Sequence, residues 1–130
     1  MKTKQHTFPQ RIGTLIEAYI IEKDQLRPNK RQQRVGYYDA YNKETVFEIK
    51  AAKDGNYFRI MQKNHEELHR AHGMYILVRY TLKNVDKDLK AITDIVIGDI
   101  RYVTALELQE TATTWLEDQR KKNLYYKVKI

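Results

Sequence analysis

Two short stretches of this chain carry residue types that could do chemistry: Asp39 followed by Glu48-Ile49-Lys50, and His65-Glu66-Glu67-Leu68-His69. The second spells His-Glu-x-x-His, a spacing that sets two zinc ligands and a general base on one helical turn. Its flanks, Gln62-Lys63-Asn64 and Arg70-Ala71-His72, read as a solvated helix, and Gly73 ends it before a third ligand could follow. The expectation there is a surface helix that needs no metal.

The first stretch is more pointed. On an extended strand Val46, Glu48 and Lys50 share one face while Phe47, Ile49 and Ala51 take the other, so a carboxylate and an ammonium lie two residues apart on the polar face. If Lys43-Glu44 closes a two-residue hairpin loop, Asp39 falls opposite Glu48 on that face. Two carboxylates held close repel unless a cation sits between them, and oxygen ligands of this kind suit Mg2+ or Mn2+. Lys50 could stabilise charge on a pentavalent phosphorane or orient the attacking water. This is an inventory for phosphodiester hydrolysis. The same residues also fit a solvent-facing hairpin with an ordinary cross-strand salt bridge.

Asp39 and Glu48-x-Lys50 resemble the motif of the PD-(D/E)XK nuclease superfamily, the fold of many restriction endonucleases, archaeal Holliday junction resolvases and repair nucleases. Arg11-x-Gly13-x-x-x-Glu17 is similar to the helix in which resolvase-like members place an acidic residue near the metal. The resemblance spans residues 9 to 97, with Tyr38 where the family name has proline. It implies an α/β, restriction-endonuclease-like sandwich with a mixed central sheet flanked by helices. Asp39 and Glu48 would be catalytic metal ligands, Lys50 the catalytic lysine, Glu17 a further ligand and the Ile49 carbonyl another, with Gln62 or Lys63 supporting from the next helix. The implied activity is that of a Mg2+-dependent (or Mn2+-dependent) DNA endonuclease, restriction-like, with junction resolvase or repair nuclease as alternative. A non-catalytic DNA-binding subunit is the reading from another class. Family habit implies a homodimer.

Several elements must position these groups. Ile12, Leu15, Ile16, Tyr19 and Ile20 recur at helical spacing and predict a helix over 9–25 behind a capping box at Thr7 and Gln10. A basic loop should cover 26–34, with strands at 35–41 and 45–52 joined as a hairpin. Asp54-Gly55-Asn56 signals a turn, after which an extended piece over 57–60, a helix over 62–72 capped by Gly73, and a buried strand over 74–80 are expected. A charged loop over 83–90 and a strand over 92–97 follow. Thr104-Ala105-Leu106-Glu107 opens a last helix, expected to reach Asn123 and carry Trp115 and Leu116, before an edge strand through Tyr126 and Val128.

A chain of 130 residues fits one domain, taken as 1–130, with enough length to bury a core. Cysteine is absent, which removes disulfides, thiolate metal sites and cysteine nucleophiles. No secretory signal or membrane-spanning run is visible, so a soluble, intracellular (cytoplasmic) protein with no membrane partner and no organic cofactor is expected. Lys and Arg number 24 against 17 Asp and Glu, a formal charge of +7 that favours polyanionic partners. Arg27, Lys30, Arg31 and Arg34 cluster just ahead of Asp39 and are the expected DNA-binding residues.

Overall fold

The computed structural model describes residues 8–29, 38–83, 94–111, 115–118 and 123–128. Helix α1 (Phe8–Lys23) opens the fold where the apolar spacing predicts it. Ile12, Ile16 and Ile20 are fully buried along one stripe, each worth about 2 kcal/mol gross in apolar transfer. After α1 come β1 (Arg27–Pro28), β2 (Ala40–Tyr41), β3 (Val46–Lys53), β4 (Phe58–Met61), α2 (Gln62–Arg70) and β5 (Met74–Leu82). The chain ends with β6 (Ile95–Thr104), α3 (Ala105–Thr111), β7 (Trp115–Asp118) and β8 (Asn123–Val128).

The central sheet is mixed, in the order β1-β2-β3-β5-β6, with β3 and β5 parallel and the other pairs antiparallel. β4, β8 and β7 form a second, antiparallel sheet. Two cores lie on opposite faces of the central sheet. Phe47 and Ile49 of β3, with Ile76 and Val78 of β5, pack against the α1 stripe. Ala52, Tyr75 and Leu77 turn the other way and pack with Phe58, Ile60, Leu68, Leu108 and Val128. This is the expected α/β sandwich, and the face assignment along β3 is the one that its alternation predicts. Tyr102 of β6 ties down the end of α1: its hydroxyl donates to Asp24 Oδ2 at 2.7 Å and accepts from Lys23 Nζ at 3.3 Å. No helix among the described residues is long and apolar enough to cross a membrane.

Several expectations change. The last helix stops at Thr111, and Trp115–Asp118 and Asn123–Val128 are strands instead of a helical continuation. Thr111, Thr113 and Thr114 supply the reason, because β-branched residues lose side-chain freedom on a helix and suit strands. Arg27-Pro28, read as loop, pairs with β2 as the edge strand, a place where the missing proline N–H costs nothing. β6 runs to Thr104, well past the expected end at residue 97. Val35–Tyr37 of the expected hairpin strand, and Thr7 of the first capping box, lie outside the described residues.

Helix α2 ends two residues early in a Schellman arrangement. His72, not Gly73, takes the left-handed conformation (φ 56°), and the Gly73 N–H donates to the Leu68 carbonyl at 2.8 Å. Gly73 is required for another reason: a Cβ there would run into the Leu68 side chain and Val46. The capping box at Thr104 forms as read, with Thr104 Oγ1 accepting from the Glu107 N–H and Glu107 Oε1 accepting from the Thr104 N–H, each at 3.0 Å. That backbone hydrogen bond holds the Glu107 carboxyl below its ordinary pKa.

Candidate active site

The hairpin is closed as its loop length predicts. Asn42 Oδ1 accepts from the Glu44 and Thr45 N–H groups at 2.8 and 2.9 Å, an Asx turn that fixes Lys43-Glu44 as the loop. Ala40 then pairs with Phe47, and Tyr41 with Val46. Asp39 is where this ladder changes. Its N–H donates to the Phe47 carbonyl at 2.8 Å, its own carbonyl accepts from the Asn29 N–H at 2.9 Å, and its carboxylate Oδ2 accepts from the Ile49 N–H at 2.9 Å. A side-chain oxygen thus takes the place of a backbone acceptor beside β3. The Asn29 amide also donates to the Tyr38 carbonyl at 3.0 Å, so β1 and β2 together hold Asp39 against Ile49. The expected register holds to Ala40 and Phe47, and from there the Asp39 carboxylate reaches the Ile49 N–H, between Glu48 and Lys50 in sequence.

Glu48 and Lys50 share a face, and Glu48 Oε1 lies 3.3 Å from Lys50 Nζ. That face is not the open polar surface expected of it. It carries the second core, so Glu48 is 7% exposed while Lys50 keeps partial contact with solvent. The parallel register explains the difference, since Glu48 stands beside Tyr75 and Lys50 beside Leu77, both buried. A carboxylate so enclosed needs a compensating cation, and Lys50 supplies one.

Helix α1 packs on the opposite face of the sheet, against Phe47 and Ile49, which sets half-buried Glu17 on the far side from the Glu48 and Lys50 side chains. Gln62 opens α2, half-buried. Arg27 is exposed on edge strand β1, whereas Lys30, Arg31 and Arg34 lie outside the described residues. Among the described residues no group of three or more His, Asp or Glu side chains is arranged to hold a metal ion. The donor set at the hairpin is one of hard oxygens, two carboxylates and the Ile49 carbonyl. An ionised carboxylate has about four acceptor positions, so the Asp39 bond to Ile49 N–H leaves it capacity for Mg2+ or Mn2+.

The His-Glu-x-x-His helix is amphipathic instead of wholly solvated, because His65 and Leu68 form a buried stripe. His65 Nδ1 accepts from the Tyr75 hydroxyl at 2.9 Å, Nε2 donates to Gln109 Oε1 at 3.1 Å, and the ring stacks on Tyr75. Burial lowers its pKa, so it stays neutral. Both ring nitrogens are committed to protein partners. No local pattern of residues signals this network, whose members come from α2, β5 and α3.

An α/β sandwich whose hairpin carries carboxylates and a lysine at its centre has the architecture of a nuclease domain. The family model for the PD-(D/E)XK nuclease superfamily domain matches residues 2–130, and the chain belongs to that superfamily. A nuclease-like function follows, of a kind that generally uses divalent metals. Neither the curated proteins nor the solved structures gave a match.

Proposed function

We propose that this chain is a DNA endonuclease that hydrolyses phosphodiester bonds with Mg2+ or Mn2+ bound by Asp39, Glu48 and the Ile49 carbonyl. The observation that carries the reading is the hydrogen bond from Ile49 N–H to Asp39 Oδ2, which draws a carboxylate to the centre of the Glu48-Ile49-Lys50 strand. A divalent cation bound there would supply Lewis-acid stabilisation and a water of lowered pKa. Asp39 and Glu48 hold the charge and orient the scissile phosphate, and Lys50, partly exposed beside Glu48, meets the charge that develops on the phosphoryl oxygens. Glu17 would have to reach this site past the hairpin edge and is the weakest of the proposed ligands. Gln62 would support the site from α2, and Arg27 with Lys30, Arg31 and Arg34 would contact the DNA backbone.

The run from Asn56 through β5 inclines the reading to a restriction-like enzyme, with a junction resolvase or repair nuclease as the alternative. One site cuts one strand, so double-strand cleavage would call for a homodimer. A second reading is a non-catalytic DNA-binding subunit, in which Lys50 serves only to neutralise the buried Glu48 carboxylate. Incubation of plasmid and branched DNA with the purified protein and Mg2+ or Mn2+ separates them. Metal-dependent cutting that Asp39→Ala and Lys50→Ala both abolish is expected, and the products distinguish duplex from junction cleavage. Salt-sensitive DNA binding without cutting on any substrate would favour the binding subunit.

A further inference from the structure

The register across the central sheet places a second group of cations on the face that carries Lys50. Lys50 stands beside Leu77, and Leu77 beside Arg101 of β6, so all three side chains emerge on one face. Ala52 stands beside Arg79, which puts Arg79 on that face as well. Neighbouring strands are about 4.8 Å apart, so Arg101 lies two spacings, about 10 Å, from Lys50.

The β6 strand is bent at this point. Val78 pairs with Ile100 and Tyr80 with Ile97, so Gly98 and Asp99 together oppose Arg79 in a β-bulge. Gly98 permits the close approach, since a Cβ there would sit 3.3 Å from the Arg79 carbonyl oxygen. The outcome is a shallow recess lined by Phe58, Leu77, Arg79, Asp99 and Arg101. Arg79 is fixed within it: its guanidinium lies 4.5 Å over the Phe58 ring and donates to the carbonyls of Asn56 and Lys53. Arg101 is exposed at the rim and forms no ion pair among the described residues. Asp99 offsets one of the two guanidinium charges, and the recess retains a net positive charge beside Lys50.

We propose that Arg101, backed by Arg79, binds a backbone phosphate of the DNA strand that passes over Lys50, at a position flanking the bond to be cut. The inference rests on the nuclease reading for its ligand. A planar guanidinium at the rim of an apolar-floored recess suits bidentate contact with phosphate, and a fixed Arg79 beneath adds field without ordering cost. The contact carries no sequence information and serves to set the strand's register over the site.

The test is duplex-DNA affinity without divalent metal across a salt series, for the wild-type protein, Arg101→Ala and Arg101→Lys, with cleavage and melting followed in parallel. Arg101→Ala should weaken binding about fivefold at ~0.15 M salt and reduce the slope of log affinity against log salt by about 0.9, with melting unchanged. Arg101→Lys should restore the slope. An Arg101→Ala protein that matches wild type in affinity and slope, while wild type binds DNA, overturns this inference alone. Wild-type protein that binds no DNA overturns it together with the nuclease reading. A slope that depends on Arg101 in a protein that cuts nothing supports the phosphate contact and removes the nuclease.

Discussion

Glu48 and Tyr75 stand side by side in parallel strands and face the same core, yet they open onto opposite kinds of polar arrangement. Behind Tyr75 the hydrogen-bonded chain is neutral: its hydroxyl serves His65, whose other nitrogen serves Gln109, and it joins β5, α2 and α3. Around Glu48 the groups are charged, the ion pair with Lys50 is within one strand, and Asp39 is held close by β1 and β2 instead of by the core. A satisfied neutral network stabilises and specifies a fold. A buried carboxylate paired with a partly exposed lysine adds little stability, and under the proposed function this is the side that would take a cation and a phosphate.

The largest expected effect breaks the charged side. Asp39→Ala, Glu48→Gln and Lys50→Ala should each reduce metal-dependent cleavage at least ~100-fold in a plasmid assay. Lys50→Ala should also lower stability by roughly 2 kcal/mol in a urea titration, because Glu48 is left buried without its cation, whereas Lys50→Ala with Glu48→Gln should recover much of that loss. Equal stability of the single and double variants would contradict the pairing.

The neutral side should break differently. His65→Ala removes a buried ring and a hydrogen-bond partner of the Tyr75 hydroxyl, so a loss of about 3 kcal/mol is expected, with residual cleavage per folded molecule within a few-fold of wild type. His69→Ala should change stability by less than about 0.5 kcal/mol. Zinc chelation should leave both proteins unaltered.

His65 also sharpens the contrast through pH. Burial holds its folded pKa below the unfolded value of 6.5, so the unfolded chain takes up the proton first on acidification. Its contribution is present in full above pH 6.5 and is lost as pH falls through the depressed folded value. Denaturation midpoints between pH 7 and 5 should therefore fall less steeply in His65→Gln than in wild type. The smallest effects belong to the frame: Thr104→Ala should cost about 1 kcal/mol through the lost cap, and Glu17→Gln, on the far side of the sheet, should alter cleavage less than any change at Asp39, Glu48 or Lys50.

Much of this is legible in the sequence. The period-2 alternation of β3 assigned its faces, the two-residue loop set the Ala40–Phe47 register, and Thr104 and Glu107 announced their own cap, since each of these depends on neighbours in sequence. Contacts between distant segments were not legible. Nothing near Glu48 signals that Tyr75 will stand beside it, so its face read as solvent-exposed. Asn29 and β1 cannot be seen gripping Asp39 from residues 38–50 alone. The spacing of Leu106, Leu108, Trp115 and Leu116 imitates one helix, whereas the threonine run between them favours the observed change from helix to strand.

The measurement that tests the central claim most directly is Mn2+ binding by calorimetry on folded protein, comparing wild type, Asp39→Asn and a His65→Asn/His69→Asn variant. The account predicts that binding is lost in Asp39→Asn and kept in the histidine variant. Binding that survives in Asp39→Asn and disappears with the histidines would contradict it.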